Sequence, residues 1–256
     1  MKYTIHRYES VTSTNDLAVR MAEEGAPEGT VVVAREQTAG RGRRGRRWSS
    51  PPGSGLYLSF ILRPACPMEY LWQVGFVASL AAADAIAQVS GLPARIKWPN
   101  DILLGGRKVC GILVEARKQS AVCGLQSAVC SLLPAVIVGV GINVNTPTFP
   151  SEITEKATSI AIELGYQIAV GEVEEALLTA LNKWYSTYLE HGFAPIIRAW
   201  KKLDCTAGRD VVVDTMEGLV EGRAVEVNSA GDLIVEGKDG AKVQITAGDV
   251  ILCPET

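Results

Sequence analysis

The sequence predicts an α+β fold, in which a large domain of mixed strands and helices precedes a small domain made of strands alone. Apolar β-branched runs alternate with helix-length periodic segments as far as Leu203. Helical periodicity then ends near Gly208, and short alternating runs fill the remainder. A length of 256 residues also suits one large domain with a small appendage. We expect the two domains to span 1–206 and 207–256.

Strands are predicted in the large domain where β-branched or alternating apolar residues run between turn signals. These runs are Tyr3–Tyr8, Thr30–Ala34, Leu56–Leu62, Arg95–Trp98, Ile102–Leu104, Lys108–Glu115 and Pro134–Val144. The last is apolar enough to lie at the centre of a sheet. Gly105 and Gly106 suit a two-residue hairpin turn, because glycine tolerates positive φ.

Helices are predicted where apolar residues recur at helical spacing. Ser13 or Thr14 can cap a first helix that runs to about Glu24. The other predicted helices are Glu69–Ser90, which stops at Gly91, then Glu172–Glu190 and Ala194–Leu203. Residues 37–55 have almost no aliphatic side chains, which indicates a functional or disordered loop.

The last part of the chain shows only strand patterns. The runs are Val211–Val213, Leu219–Val227, Leu233–Glu236, Lys242–Ile245 and Val250–Leu252, separated by Asn-Ser, Gly-Asp and Asp-Gly turns. Short strands at this spacing predict a small β-barrel.

The composition excludes several classes of protein. Lys and Arg number 25 against 28 Asp and Glu, so the chain as a whole is not a nucleic-acid-binding polycation. A hydrophobic content of 47% is ordinary for a globular protein. The longest apolar run, residues 132–142, is too short to cross a bilayer, and the N-terminus has no apolar signal core. We therefore expect a soluble cytoplasmic protein with no membrane partner.

Cysteine and histidine usage excludes metal and hydrolase motifs. Only two histidines are present, and the six cysteines form no C-x-x-C pair, which excludes zinc fingers and H-E-x-x-H proteases. No side-chain cluster predicts a metal site. Neither a G-x-S-x-G elbow nor a Walker loop occurs. The cysteines are expected to be buried thiols without disulfides.

A glycine–arginine loop, defined as residues 35–48, has the strongest local charge. It holds six arginines and one glutamate, a local charge of +5 in a chain of net −3. Its glycines let backbone N–H groups approach an anion, and guanidinium groups can donate two hydrogen bonds to phosphate. Composition alone leaves phosphate binding, nucleic-acid binding and a solvated basic loop open.

Four further motifs are ambiguous when each is taken alone. Ser13-Thr14-Asn15 suits a plain helix cap. Residues 97–101, Lys-Trp-Pro-Asn-Asp, break a strand beside a lysine, which suits a structural turn or a site. Lys108 heads a strand on which it should share a face with Cys110, Ile112 and Val114, as a catalytic cation or a snorkelling edge residue. The glycines of residues 139–145 indicate close approach of a backbone or a ligand, or a tightly packed sheet.

Together and in this order, the five motifs resemble the biotin protein ligases, also called biotin–[acetyl-CoA-carboxylase] ligases. The motifs are Ser13-Thr14-Asn15, the glycine–arginine loop, residues 97–101, Lys108-x-x-Gly-Ile-Leu-x-Glu115 and Gly141-Ile142-Asn143. The resemblance covers essentially the whole chain. It implies a mixed sheet backed by helices and a C-terminal SH3-like barrel.

The resemblance also implies the reaction. Biotin and ATP would give biotinyl-5′-adenylate and pyrophosphate, with Mg²⁺ accompanying ATP. The biotinyl group would then pass to one lysine of a biotin carboxyl carrier protein, such as a subunit of acetyl-CoA carboxylase.

Site residues follow by motif match. The biotin-binding set is Ser13, Thr14, Asn15, Gln37, Gly40, Arg41, Gly42, Arg43, Lys108 and Gly111. The nucleotide-binding set is Arg43, Arg46, Trp48, Lys97, Asn100 and Asn143, with Trp48 near the adenine. The catalytic set is Lys108, Arg41 and Asp101, of which Asp101 would accept a proton from the acceptor lysine.

Two departures from the family pattern are visible. Only 12 residues precede Ser13, so we expect no N-terminal helix-turn-helix and no DNA partner. Residues 116–133 contain a near-duplication and are expected to form an extended loop. A homodimer is plausible from the family alone.

Two alternatives remain. A lipoate ligase or octanoyltransferase has a related fold, and the transferase branch would use a cysteine such as Cys110 as its nucleophile. A nucleic-acid-binding module built on the glycine–arginine loop would bind with a steep salt dependence.

Overall fold

Two β-sheets organise the chain in a computed structural model that describes residues 1–117 and 134–253. The larger sheet has seven strands in the order β1-β2-β3-β7-β6-β5-β4, with β1 and β2 parallel and the other neighbours antiparallel. Its strands are β1 (Thr4–Val11), β2 (Thr30–Gln37), β3 (Gly55–Leu62), β4 (Arg95–Lys97), β5 (Asp101–Leu104), β6 (Arg107–Arg117) and β7 (Ala135–Asn143). The predicted mixed sheet and the central position of β7 are confirmed.

Five α-helices accompany this sheet in the described part of the chain. They are α1 (Thr14–Glu23), α2 (Gln73–Ser90), α3 (Ile160–Leu164), α4 (Val170–His191) and α5 (Phe193–Leu203). Ser13 caps α1 by accepting a hydrogen bond from the backbone N–H of Asp16, and α2 ends at Gly91 with φ of 68°. Both helix boundaries agree with the prediction.

The two faces of the sheet are covered differently. Val31, Val33 and Val138 share a core with α2 and α4, while Val32 and Ile137 pack with α1 on the opposite face. Alternate residues of a strand point to opposite faces, so odd-numbered positions of β7 face α1. Helix α1 covers only one end of this face. The rest of the face is left open beside the helix.

The alanine-rich α2 forms the centre of the core. The stretch Met68–Ser90 has the length and hydropathy of a membrane span, yet 67% of its most apolar window is buried inside the protein. Ala81, Ala82 and Ala83 are all buried, so the helix is enclosed on several sides. The predicted helix Glu69–Ser90 differs at its start, where Met68–Tyr70 form a 3₁₀ turn before α2 begins at Gln73.

The second sheet confirms the strand prediction for the C-terminal part. It has five antiparallel strands in the order β11-β10-β9-β8-β12. They are β8 (Asp210–Asp214), β9 (Leu219–Val227), β10 (Leu233–Glu236), β11 (Lys242–Ile245) and β12 (Asp249–Leu252). The predicted boundary at 206/207 lies between the end of α5 and the start of β8, and as a domain boundary it remains a prediction.

The structure corrects the predicted register of β6. Leu103 pairs with Lys108 and Ile102 pairs with Cys110, so Val109 is an extra residue in β6, a β-bulge. The bulge reverses the alternation, and Lys108 therefore does not share a face with Cys110, Ile112 and Val114. Cys110 is fully buried against the α2 core, while Lys108 is on the opposite face.

One helix, the 116–133 segment and the cysteines differ from the predictions or lie partly outside the described residues. The short helix α3 was not predicted, because five residues are too few to show a helical period. Most of the 116–133 segment, residues 118–133 with Cys123 and Cys130, lies outside the described residues. Among the described cysteines only Cys110 is fully buried, and Cys66, Cys205 and Cys253 are partly exposed.

Candidate functional site

A cavity of about 630 Å³ opens beside α1, on the face of the sheet that α1 leaves uncovered. Its floor is formed by β7, β6 and β5, and its rim by α1, the glycine–arginine loop, residues 149–157 and β12. The volume lies within the range typical of small-molecule sites. All predicted site residues line it except Gly40. They are Ser13, Thr14, Asn15, Gln37, Arg41, Gly42, Arg43, Arg46, Trp48, Lys97, Asn100, Asp101, Lys108, Gly111 and Asn143.

One end of the cavity is neutral and hydrogen-bonding. Gln37 accepts hydrogen bonds from the backbone N–H (2.8 Å) and the hydroxyl (3.1 Å) of Thr14. Ser59 lies within 2.8 Å of the Thr14 hydroxyl and donates to Oδ1 of Asn15 at 2.6 Å. Ser13, Thr14 and Asn15 are buried, so the N-terminus of α1 presents a fixed set of donors and acceptors.

Missing side chains on β7 make room for this end. A Cβ at Gly139 would stand 2.2 Å from Oδ1 of Asn15. Asn15 donates to Glu115 at 2.9 Å, and Glu115 also pairs with Arg41, which contacts Asp16 at 3.2 Å. Glu115 therefore joins α1 to the glycine–arginine loop across β6.

Trp48 packs against a pair of glycines on the two central strands. Gly141 and Gly111 are paired on β7 and β6. A Cβ at Gly141 would stand 2.6 Å from Trp48 Nε1, and one at Gly111 would stand 3.0 Å from the indole ring. The indole Nε1 is buried and has no hydrogen-bond partner among the described residues. The group that approaches Gly139 and Gly141 closely is in each case a side chain, Asn15 and Trp48, and not a backbone segment.

Lys108 lies between the Asp101 carboxylate and the Trp48 indole. Its Nζ is 2.6 Å from Asp101 and 5.4 Å from the centre of the Trp48 ring. The backbone N–H of Lys108 donates to the carbonyl of Lys156 at 2.8 Å, and its carbonyl accepts from the N–H of Thr158 at 2.9 Å. The segment at Lys156–Thr158 therefore satisfies the backbone groups of Lys108 at the bulge. Lys108 is thus a fixed cation rather than a snorkelling edge residue.

Asp101 is shared by two lysines. Lys97 Nζ stands 3.1 Å from Asp101 and donates to the backbone carbonyl of Val250 at 3.1 Å. Burial raises the pKa of Asp101, but the charges and hydrogen bonds of Lys108 and Lys97 outweigh it, so this pKa lies below its ordinary value. The group is a carboxylate at neutral pH.

Two asparagines hold the surrounding backbone. Asn100 donates to the carbonyl of Ile112 at 2.7 Å and accepts from Arg43 at 3.0 Å. Asn143 donates to the carbonyl of Thr158 at 3.0 Å. The Lys-Trp-Pro-Asn-Asp motif is therefore partly structural, and its Trp98 is buried in the core.

The glycine–arginine loop folds back on itself between Gly40 and Trp48. The N–H of Gly42 donates to Arg46 at 2.7 Å, and that of Trp48 donates to Gly40 at 2.9 Å. Gly40 does not line the cavity. A Cβ at Gly40 would stand 2.5 Å from the Trp48 carbonyl, so the absence of a side chain at Gly40 allows the two ends of this loop to pack together. Burial lowers the pKa of Arg43.

Sequence reasoning missed several lining residues. Phe149, Glu152, Ile153, Glu155, Lys156 and Ala157 cover one side, and Asp249–Leu252 another. Neither segment carries a motif of phosphate-binding type. The first segment reaches the site through the backbone bonds between Lys108 and residues 156–158. The second reaches it through the contacts of β12 with the glycine–arginine loop.

Cys110 does not belong to the cavity. Its thiol is buried in the core with a pKa that desolvation raises strongly. This location opposes a cysteine nucleophile at position 110.

A family model described as the biotin/lipoate A/B protein ligase family matches residues 8–130. The bifunctional ligase/repressor BirA of Bacillus subtilis is 36% identical over 96% of this chain and 73% of its own length. A biotin–[acetyl-CoA-carboxylase] ligase of Paracoccus denitrificans is 36% identical over 93% of this chain and 96% of its own.

Solved structures agree. The biotin protein ligase from Aquifex aeolicus in complex with biotin and ATP superimposes with a TM-score of 0.81 at 29% identity, covering 100% of both chains. The Leishmania major enzyme in complex with biotinyl-5-AMP has a TM-score of 0.63 at 25% identity, covering 96% of this chain and 100% of that one.

The packing of Trp48 against Gly141 on β7 can be tested in the ligand-free protein. We expect Gly141→Ala to displace the Trp48 indole and to cost about 1–3 kcal/mol in the free energy of unfolding, because the new methyl group would overlap Nε1. The indole N–H signal of Trp48, assigned with Trp48→Phe, should shift in a ¹H–¹⁵N spectrum. Gly171→Ala is the matched control, since a Cβ there meets nothing within 4 Å. An unmoved Trp48 signal in Gly141→Ala would contradict the packing described.

Proposed function

Because this chain belongs to the biotin/lipoate A/B protein ligase family and, within it, to the biotin protein ligases, we propose that its cavity performs biotin activation followed by biotin transfer. Biotin and ATP would form biotinyl-5′-adenylate, and the biotinyl group would pass to a lysine of a biotin carboxyl carrier protein. The acceptor would be a subunit of acetyl-CoA carboxylase or of a similar biotin-dependent carboxylase.

The observation that carries the proposal is the division of one cavity into two ends with Lys108 between them. The end at Thr14 and Asn15 is lined by hydroxyl and amide groups, which suit the donors and acceptors of a ureido ring. Biotin would bind there by replacing some of their internal hydrogen bonds. The other end has Lys97, Arg43 and Arg46 on its lining, which suit phosphates. Biotin and ATP together present these two chemistries joined at a carboxylate and an α-phosphate.

Activation needs cations at the reacting centre. An oxygen of the biotin carboxylate attacks the α-phosphorus, the bond from that phosphorus to its bridging oxygen breaks, and pyrophosphate leaves. Negative charge spreads over the α-phosphate oxygens and the leaving group. Lys108 is already held by Asp101 and Trp48, so it can stabilise this charge without reorganising. Arg41, held by Glu115, would bind the carboxylate.

Transfer needs a proton acceptor. The Nζ of the acceptor lysine attacks the acyl carbon, the bond to the AMP oxygen breaks, and AMP leaves with the bond electrons. The attacking nitrogen becomes strongly acidic once the new C–N bond forms. Asp101, ionised at neutral pH because of its lowered pKa, is the carboxylate that we propose accepts this proton.

Mg²⁺ is proposed to enter with the triphosphate. In the described residues no three His, Cys, Asp or Glu side chains cluster as a metal site. Mg²⁺ commonly binds through phosphates and waters with few protein ligands. We propose no step that depends on a protein-bound metal.

Lipoate or octanoate ligation is the second candidate, because the family model includes those enzymes. The burial of Cys110 on the α2 side opposes the octanoyltransferase form of that candidate. We also propose a cytoplasmic location, from the sequence features described above, and a homodimer, from the family.

Isothermal calorimetry should identify the ligand class. We expect biotin to bind and lipoate and octanoate to give no measurable heat, because the hydrogen-bonding groups at Thr14 and Asn15 would face an apolar chain. Binding of lipoate or octanoate without biotin would refute the proposal. Transfer is then checked by mass spectrometry of a carrier domain incubated with biotin and ATP.

Removal of the central cation should stop activation. We expect Lys108→Ala to slow biotinyl-adenylate formation by about 100–1,000-fold, by analogy with the loss of one preorganised donor, and Arg41→Ala to act in the same direction. Pyrophosphate release measures the rate.

Lys183→Ala is the matched control for Lys108. Lys183 also pairs with a carboxylate, Asp84, at 3.3 Å and lies 4.5 Å from the centre of a tryptophan ring, but on the surface of α4. We expect it to retain wild-type activity. Wild-type pyrophosphate release by Lys108→Ala would remove Lys108 from this role.

Asp101→Asn should affect transfer more than binding. With preformed biotinyl-adenylate and a carrier domain, we expect transfer to slow by about 100-fold, since an amide cannot take up the proton. Because the charges and hydrogen bonds of Lys108 and Lys97 hold the pKa of Asp101 below its ordinary value despite its burial, protonation of Asp101 should not slow wild-type transfer at mildly acidic pH. Asp84→Asn is the control carboxylate, and equal transfer by both variants would contradict the assignment.

A further inference from the structure

One carboxylate of the small sheet receives three arginines of the glycine–arginine loop. Asp249, the first residue of β12, stands 3.9 Å from Arg43 and 3.4 Å from Arg44, and it also pairs with Arg46. Its side chain is 20% exposed, so the carboxylate itself is largely shielded from solvent, while the Arg46 side chain is 61% exposed.

The neighbouring strand end strengthens the attachment. Arg44 pairs with the Asp214 carboxylate at 2.9 Å and donates to the backbone carbonyl of Asp214 at 2.8 Å. Asp214 and Asp249 are directly paired on β8 and β12. Arg44 has φ of 53°, the only positive φ at a non-glycine residue in the described chain, so the turn adopts a backbone that needs support from outside.

Charge explains why support is needed. Three guanidinium groups within four residues repel one another, and Arg44 and Arg46 both disfavour the charged form of Arg43. Asp249 lies among all three and offsets this repulsion. Without it, the turn would relax by separating its charges, which means opening away from the cavity rim.

We propose that Asp249 is a positioning residue that holds the Arg43–Arg46 turn over the phosphate end of the cavity from the small sheet. This proposal rests on the proposed function for its ATP readout, but its structural part does not. The affinity for ATP would therefore depend on the contact between the C-terminal sheet and this turn.

The sign of the effect separates positioning from direct contact. A carboxylate that merely faced the triphosphate would repel it, and its neutralisation would tighten ATP binding. A carboxylate that holds the arginines does the opposite, and its neutralisation weakens ATP binding. The two roles therefore predict opposite changes in the KM for ATP.

Asp249→Asn is the test variant and Glu226→Gln the matched control. Glu226 lies on β9 of the same sheet and pairs with Lys201, away from the loop. In the ligand-free proteins, we expect trypsin to cleave after Arg43, Arg44 and Arg46 about tenfold faster in Asp249→Asn than in wild type. Fragment masses identify these sites, and Glu226→Gln should match wild type.

Kinetics give the second readout. We expect the KM for ATP to rise about tenfold in Asp249→Asn, equal to ~1.4 kcal/mol, with kcat changed by less than about twofold. Asp249→Glu should restore most of the loss. An unchanged cleavage rate, or a KM for ATP that falls, would overturn the proposal.

Folding and function are checked separately. Thermal unfolding of each variant shows whether the sheet is intact, and Asp249→Ser replaces Asp249→Asn if the latter does not fold. If wild-type protein makes no biotinyl-adenylate while Asp249→Asn still exposes the loop to trypsin, the proposed function fails and the positioning role stands.

Discussion

The absence of side chains along one face of two central strands is the constraint on which the site depends. Gly139 and Gly141 on β7, with Gly111 beside them on β6, leave a trough in a sheet that is otherwise filled with aliphatic residues. Asn15 and Trp48 occupy positions that any Cβ would block. A buried sheet normally avoids glycine, because it loses packing and conformational entropy. Here the missing side chains let a polar cavity lie directly against the central strands of the sheet.

The bulge at Val109 performs the complementary task for charge. In a regular strand Lys108 would share the apolar face of Cys110, where an unpaired ammonium is costly. The extra residue turns Lys108 toward the cavity, and the segment at Lys156–Thr158 satisfies its backbone groups. Bulges that re-aim one side chain are common beside active sites. Cys110 stays in the core because its regular pairing with Ile142 on β7 is unaffected by the bulge.

Most of the fold could be predicted from the sequence, because local signals specify it. All five C-terminal strands follow from alternation and Gly-Asp or Asp-Gly turns, and the cap at Ser13 and the stop at Gly91 are single-residue signals. The site was predicted as a set of residues but not as an arrangement. The bulge depends on pairing with β5, and Asp249 meets Arg44 across 205 positions of sequence. Long-range pairing of this kind leaves no local pattern to find.

Five cations of the cavity are paired with a resident carboxylate before any ligand binds. Asp101 holds Lys97 and Lys108, Glu115 holds Arg41, and Asp249 holds the arginine turn. Seven cationic side chains and four carboxylates line the cavity, so the pairing leaves an excess of positive charge in a chain whose net charge is negative. A cation that is already oriented stabilises developing phosphate charge without the cost of ordering a long side chain. Since the three carboxylates come from β5, β6 and β12, the electrostatics of one cavity require both sheets to be in place.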